Sequence, residues 1–154
     1  MIPSEAIYAE YRRRLESITT ANGYSSDAGE EIYEGWLAQA LIMDEQQPLP
    51  FIAMQPGEDR RANKSSGGRL VREVTHHIIV AEKAEAGVAL KLQRHLDDLI
   101  NALADRNNME QLGGNAIDSE VLDAEYNIPE DSYPVAWVAL TVTAKYQMTL
   151  EPKT

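Results

Sequence analysis

The chain has 154 residues, a net charge of −11 and no cysteine. This length suits one domain with a proper core, and the missing cysteine excludes disulfides, thiolate nucleophiles and cysteine-ligated metal centres. The negative charge opposes binding to nucleic acid or anionic membranes. No apolar run approaches the roughly 20 residues of a membrane helix, and the first residues lack the basic and apolar regions of a secretory signal. We therefore expect cytoplasmic synthesis and no membrane.

The first half of the chain predicts one helix and two strands. Apolar side chains recur at intervals of three and four over residues 4–19, which predicts a helix with one buried face. A strand is predicted from Ile32 and a brief one over 50–54, while the pattern leaves the structure of residues 37–47 open. Residues 57–69 are rich in Gly, Ser and charge, and we predict a long mobile loop there.

The second half predicts the centre of the fold. Alternating apolar side chains over 70–81 predict a central strand, and a continuous apolar stripe over 88–103 predicts the second helix. Two further strands are predicted over 115–127 and 135–148. The order of elements predicts a single α+β domain over residues 1–154, in which a mostly antiparallel (mixed) sheet of four to five strands has both helices on one face.

The three histidines are the strongest catalytic candidates. His76 and His77 are neighbours on a strand, so their side chains point to opposite faces and do not share a metal; we interpret them as a polar pair on a partly exposed strand. His95 and Asp98 are close enough on the second helix to form a hydrogen bond. A catalytic dyad also needs a nucleophile or a metal, which the sequence does not indicate. We favour a solvated surface pair, with a small-molecule enzyme using His95 and Asp98 as the alternative.

Other motifs also favour structural interpretations. The glycine pairs at 67–68 and 113–114 lack the spacing of a phosphate loop and predict turns. Four acidic side chains lie on the predicted strand over 115–127 without the spacing of a calcium-binding loop, which favours a solvated acidic edge. These are Asp118, Glu120, Asp123 and Glu125. We accordingly predict no catalytic, cofactor or metal site.

Six segments follow one another along nearly the whole chain: LESITTANGYSSDAG, EEIYEGW, LVREVTHHIIVAE, LKLQRHLDDLINAL, GGNA and PVAWVALTVTAKYQM. Together they resemble the tail terminator proteins of long-tailed, siphovirus-type bacteriophages. The one local motif in this resemblance is the turn Thr20-Ala21-Asn22-Gly23-Tyr24 with Asp27 and Gly29. Residues 37–47 depart from it, because this connection is longer than the family pattern leads us to expect.

The resemblance implies a structural virion protein without enzymatic activity or a cofactor. Tail terminators form a hexameric ring on the end of the tail tube, stop its polymerisation and present a surface to the head connector. The implied partners are further copies of the chain, the tail tube protein, and the head–tail connector or head-completion protein, with DNA only as passing cargo. The implied location is the tail end or neck of the virion, reached from the host cytoplasm. Another neck or tail component, such as a head-closure or tail tube protein, is the alternative.

Opposite charges are segregated along the chain. A basic cluster falls in the predicted loop and consists of Arg60, Arg61, Lys64 and Arg69, whereas residues 105–131 are strongly acidic. Closed rings use heterologous interfaces, in which one patch meets a different patch on the neighbour. We hypothesise that the basic cluster contacts either the acidic region of the next subunit or the tail tube; a solvated loop without a partner is the alternative. The remaining negative charge would repel DNA from the wall of a ring.

Overall fold

The computed structural model describes residues 2–35, 37, 48–62, 68–105, 111–130 and 133–150. Within these residues the fold is α+β, as the sequence predicts, with two α-helices and five strands. The helices are α1 (Pro3–Glu16) and α2 (Val88–Leu103). The strands are β1 (Ile32–Glu34), β2 (Phe51–Arg61), β3 (Arg69–Lys83), β4 (Asp118–Asn127) and β5 (Val135–Thr149).

The five strands form one mixed sheet in the order β1-β2-β3-β5-β4. Only the short pairing of β1 with β2 is parallel, and the other three pairings are antiparallel. Strand β3 is central and pairs with β5 along its whole length, which confirms the prediction of a central strand over 70–81. The chain passes from α2 to the far edge of the sheet before β5 returns between β3 and β4.

Both helices pack on one face of the sheet, which we call the helix face. Apolar side chains at intervals of three and four on each helix meet the alternate apolar residues of β2, β3 and β5, since burial of this surface is the main driving force for the packing. The contributors from α1 are Ile7, Tyr11 and Leu15, and those from α2 include Leu92 and Leu99. The opposite face carries a smaller apolar cluster that includes Phe51, Ile79 and Val135.

The prediction of a mobile loop over 57–69 is wrong at both ends of this segment, where the structure has strands. Strand β2 continues through the first part of this segment, and β3 begins at its last residue; residues 63–67 lie outside the described residues. Ion pairs across the two strands take the place of apolar burial here, between Arg60 and Glu73 and between Arg72 and Asp59. A pattern search based on hydrophobic alternation does not detect a strand whose cross-strand contacts are charges.

The predicted end of the first helix needs correction, and the open question about residues 37–47 lies almost wholly outside the described residues. Helix α1 ends at Glu16 rather than at residue 19, although Ile18 is still buried. The open question about residues 37–47 concerns positions that, apart from Leu37, the structure does not describe. Neither described helix combines the length and the hydropathy that crossing a bilayer requires.

Candidate functional site

The turn after α1 accounts physically for the local motif found in the sequence. The Asp27 carboxylate accepts hydrogen bonds from the backbone N–H and the hydroxyl of Thr20 at 2.7 and 2.9 Å, and these bonds hold the pKa of Asp27 below its usual value. Gly23 has a φ of +89°, which favours glycine. A Cβ on Gly29 would lie 2.3 Å from the carbonyl oxygen of Leu15. The motif is therefore a turn that seats the chain against the end of α1.

The predicted His95–Asp98 pair on a solvated helix surface is wrong. Both side chains are buried, with relative exposures of 4% and 7%. His95 Nε2 lies 2.9 Å from Glu82 Oε2 on β3, whereas Asp98 accepts hydrogen bonds from the backbone N–H and the hydroxyl of Ser25. The sequence did contain a signal, because both residues fall on the buried stripe of α2 three and six positions after Leu92.

The Glu82–His95 pair lies beside a cavity of about 460 Å³, which we call the His95 cavity. Its walls include Ser25, Glu82, Lys91, Arg94 and His95. Burial acts to raise the pKa of Glu82, but hydrogen bonds from His95 and a backbone N–H outweigh it and leave that pKa below its usual value. The arrangement is a carboxylate-oriented imidazole, a pairing that many general bases use. The Ser25 hydroxyl donates its hydrogen bond to Asp98 and not to the imidazole of His95. Ser25 is therefore not placed as a nucleophile.

A second cavity of about 270 Å³ lies where β4 begins and α2 ends; we call it the Tyr11 cavity. It is lined by six polar residues together with apolar ones. The polar residues are Tyr11, Asp105, Gln111, Asp118, Ser119 and Glu120. Of the acidic ones, Asp105 directs its carboxylate to the helix face, whereas alternation with Ser119, which aligns with Ala144 of the core, directs the side chains of Asp118 and Glu120 to the opposite face.

Two buried polar groups at the Tyr11 cavity differ in their hydrogen bonding: Asp105 has several partners and the Tyr11 hydroxyl has none among the described residues. Asp105 accepts hydrogen bonds from Arg14 Nη2 at 2.8 Å, from the Ser119 hydroxyl at 2.6 Å and from the Leu112 backbone N–H at 3.0 Å. Tyr11 is only 2% exposed, yet its hydroxyl oxygen has no hydrogen-bond partner in the described part of the chain. Burial, reinforced by the charge of Asp105, raises the pKa of Tyr11, so the phenol is neutral. It remains able to accept and to donate a hydrogen bond.

The two adjacent histidines point to opposite faces, as predicted, but His76 is not partly exposed. Its ring is 4% exposed and lies 5.6 and 5.5 Å from the ring centres of Tyr8 and Tyr11 on the helix face. Burial lowers the pKa of His76 to about 4, so the ring is neutral at pH 7. His77 is half-buried on the opposite face, with Nδ1 3.3 Å from the Thr141 hydroxyl.

The predicted interface residues that the structure describes are all exposed, and all except Arg69 lie at opposite edges of the sheet. Arg60 and Arg61 belong to β2, and the four acidic residues belong to β4. Strands β3 and β5 separate these edges, a distance of about 14 Å at the usual strand spacing. Within one chain the two groups do not meet. Arg69 is on β3, and Lys64 lies outside the described residues.

A row of alternating charges crosses the opposite face from one edge to the other. The strand registers align Arg60 with Glu73, Glu73 with Lys145, and Lys145 with Asp118. The first pair is an ion pair, with Arg60 Nη2 2.9 Å from Glu73 Oε1. The row therefore starts with a positive charge on β2 and ends with a negative charge on β4.

Both edges carry features that oppose backbone pairing with another strand. Beyond Met54, strand β2 has no described strand on its outer side, and this stretch contains Pro56 and a register shift between Pro56 and Asp59. Strand β4 has a similar shift between Val121 and Ala124. Proline, bulges and charged side chains all hinder edge-to-edge hydrogen bonding. A partner at either edge is thus met by side chains rather than by a new strand.

Comparisons with known proteins add no assignment for these features. Neither the protein-family models nor the curated proteins gave a match to this chain. Among the residues that the structure describes, no group of three or more His, Asp or Glu side chains is arranged to hold a metal ion.

Proposed function

We propose that the chain is a tail terminator subunit, a structural virion protein that closes into a ring on the end of the tail tube, stops its polymerisation and provides the joining surface to the head connector. The sequence segments resemble that family throughout the chain. The observation that carries the proposal is the row of alternating charges, which ends in Arg60 at one edge of the sheet and in Asp118 at the other.

Opposite edges of opposite sign favour a ring over a two-fold dimer. When the β2 edge of one copy faces the β4 edge of the next, Arg60 comes beside Asp118 and the alternation of charge continues between copies. This contact is heterologous, so its repetition closes a ring when the rotation suits. A two-fold dimer through either edge places like charges together, which is unfavourable. The basic cluster and the acidic strand β4 are then the two halves of one interface.

The proposed partners and location follow from this role. The ring contacts further copies of the chain, the tail tube protein and the head–tail connector or head-completion protein. The net charge of −11 on each subunit makes the ring repel phosphates, so DNA passes as cargo without binding to it. The protein acts at the neck of the virion after assembly in the host cytoplasm.

The test is the mass of the purified chain, measured by light scattering over a range of protein and salt concentrations. We expect a discrete ring of about six subunits at low salt, the size that the family resemblance implies. One molar salt should shift it toward monomer, because the screening length falls from about 10 Å at 0.1 M to about 3 Å. Images of the particles distinguish the alternatives: a finite ring supports a terminator, and an open filament favours a tube protein.

Charge reversal tests the edge contact itself. Arg60→Glu with Arg61→Glu should give monomers at low salt, because both edges are then acidic, and adding Asp118→Lys with Glu120→Lys should restore the ring. Lys91→Glu with Arg94→Glu is the matched control, since it reverses two exposed charges on α2. An unchanged ring mass in the Arg60/Arg61 variant would contradict the interface.

A small-molecule enzyme is the second candidate, and the His95 cavity is the observation that favours it. The partner of His95 in that site is Glu82 rather than the predicted Asp98. Hydrolysis of p-nitrophenyl acetate by the wild-type chain and by His95→Gln tests it: a lower rate in the variant favours a catalytic imidazole. Equal rates together with a ring favour the terminator.

A further inference from the structure

We infer that Asn22 is a site of spontaneous deamidation and that the turn after α1 suppresses the reaction while the turn is closed. The sequence has one asparagine followed by glycine, Asn22-Gly23, and both residues are exposed. Because glycine has no Cβ, its backbone nitrogen is unhindered and its backbone is unusually free to rotate. The inference concerns a single copy of the chain and does not depend on the ring.

The reaction needs only water as a co-reactant. The backbone nitrogen of Gly23 gives up its proton to the solvent and attacks Cγ of the Asn22 side chain, and the new C–N bond closes a succinimide ring. The Cγ–Nδ2 bond breaks, and the side-chain nitrogen takes up a proton and leaves as ammonia. Water then opens the succinimide at either carbonyl, which gives aspartate or isoaspartate.

The closed turn holds both reacting groups in hydrogen bonds. The Gly23 N–H donates to the carbonyl oxygen of Thr20 at 3.0 Å, and Nδ2 of Asn22 donates to the carbonyl oxygen of Ser17 at 2.8 Å. For the attack, the Gly23 nitrogen has to leave Thr20 and the carboxamide has to leave Ser17. The reaction therefore proceeds from an open form of the turn, and its rate follows the population of that form.

Asp27 stabilises the closed form through the same residue that holds Gly23. Its carboxylate accepts hydrogen bonds from the backbone N–H and the hydroxyl of Thr20, while the Thr20 carbonyl accepts the bond from Gly23. Hydrogen bonds to a charged group are stronger than those between neutral groups. Asp27 therefore lowers the population of the reactive, open form.

The product does not fit the closed turn. Loss of the amide removes the donor to Ser17 and places a carboxylate oxygen beside that carbonyl oxygen. Asn22 also lines a cavity of about 240 Å³ together with Asp97 and Asp98, so a carboxylate at position 22 adds a like charge there. Since Ser25 of the same loop binds Asp98, deamidation should loosen the attachment of this loop to α2.

Peptide mapping by mass spectrometry tests the inference on the intact chain, incubated at pH 8 either folded or in urea. Asn22 should deamidate about tenfold or more slowly in the folded chain. Asp27→Ala should raise the folded rate about tenfold, the size expected for hydrogen bonds to a charged group, and leave the rate in urea unchanged. Asp97→Ala is the matched control, because Asp97 lines the same cavity but its carboxylate has no hydrogen bond to the turn among the described residues.

Hydrogen exchange gives a second readout of the same opening. The amide proton of Gly23 exchanges only when its bond to Thr20 is broken, so Asp27→Ala should speed its exchange by the same factor as the deamidation. Asn22→Gln keeps a carboxamide at this position and serves as the variant that cannot form the succinimide at a comparable rate.

The outcomes decide both parts of the inference. In urea, conversion of Asn22 no faster than that of Asn115, which precedes alanine, would overturn the assignment of the site. Equal rates in the folded and unfolded chain, or a folded rate that Asp27→Ala leaves unchanged, would overturn suppression by the turn. All the residues involved belong to one copy, so a chain that stays monomeric would overturn the ring and leave this inference standing.

Discussion

The two polar cavities of the domain differ in how their buried groups are satisfied. Beside the His95 cavity, Glu82 and His95 bind each other, and Asp98 binds Ser25. In the Tyr11 cavity the hydroxyl of Tyr11 lacks a partner among the described residues. A satisfied network joins parts of one fold and specifies their packing, whereas an unsatisfied buried group in a native structure needs an explanation. The difference indicates that the Glu82–His95 and Asp98–Ser25 bonds form an internal network, whereas the described residues supply no partner for the Tyr11 hydroxyl.

The internal network has a clear structural task. Glu82 ties β3 to α2 through His95, and Asp98 ties α2 to the loop after α1 through Ser25. Each bond replaces water that burial removes from a charged or polar group. The network therefore fixes the position of α2, on which the end of the Tyr11 cavity depends.

Removing one partner of the buried pair should have the largest effect. Glu82→Ala leaves the imidazole of His95 buried without its acceptor, and we expect a loss of about 3–5 kcal/mol in the free energy of unfolding. Urea unfolding at pH 7 measures this loss. The double variant Glu82→Met with His95→Leu is the control, since an apolar replacement of both partners should restore much of the stability. A single variant within 1 kcal/mol of wild type would show that the pair is not part of a stabilising network.

The acid sensitivity of the core beneath the Tyr11 cavity should be the next largest effect. Burial places the pKa of His76 at about 4 in the folded chain, against an ordinary value of 6.5. The unfolded chain binds more protons between these values, so this contribution to stability is full above pH 6.5 and declines as the pH falls toward 4. The decline amounts to about 3 kcal/mol, at about 1.4 kcal/mol for each pH unit.

His76→Phe should remove this part of the pH dependence and keep an aromatic ring between Tyr8 and Tyr11. The measurement is the free energy of unfolding in urea at pH 7 and pH 5. His77→Phe is the control, because that ring lies on the opposite face and its nearest described hydrogen-bond partner is Thr141. Equal slopes in wild type and His76→Phe would contradict the assignment to His76; the carboxylates, which both proteins share, would then account for the acid sensitivity.

The strongly periodic elements of the fold were predictable from the sequence. The stripe of α2 and the alternation of β3 and β5 determine which side chains reach the core, so the order of elements and the central strand followed. The charged half of β2 was not predictable in this way, because its strand structure rests on pairing with β3 through ion pairs such as Arg60–Glu73. The local pattern of apolar residues does not indicate which charged residues will pair across two strands.

The candidate site was predictable only in its charges. Arg60, Arg61 and the acidic residues of β4 are visible in the sequence, but their places at opposite edges depend on strand order, in which β4 lies beyond β5. Tyr11 fits the apolar stripe of α1, and nothing in the sequence distinguishes a tyrosine whose hydroxyl is satisfied from one whose hydroxyl is not. That distinction arises only when α1, α2 and β4 are packed together.

Deleting one hydroxyl at each cavity should give the smallest effects, with opposite signs. Ser25→Ala removes a donor from buried Asp98 and should cost about 1–3 kcal/mol, whereas Tyr11→Phe removes an unpaired buried oxygen and should leave the monomer equally stable or about 1 kcal/mol more stable. Urea unfolding at high salt, where edge contacts between copies are screened, measures both changes. A clear loss of stability in Tyr11→Phe would mean that the hydroxyl already has a partner within one chain, and the contrast between the cavities would disappear. Equal or greater stability in Tyr11→Phe would show that the hydroxyl has no hydrogen-bond partner within one chain.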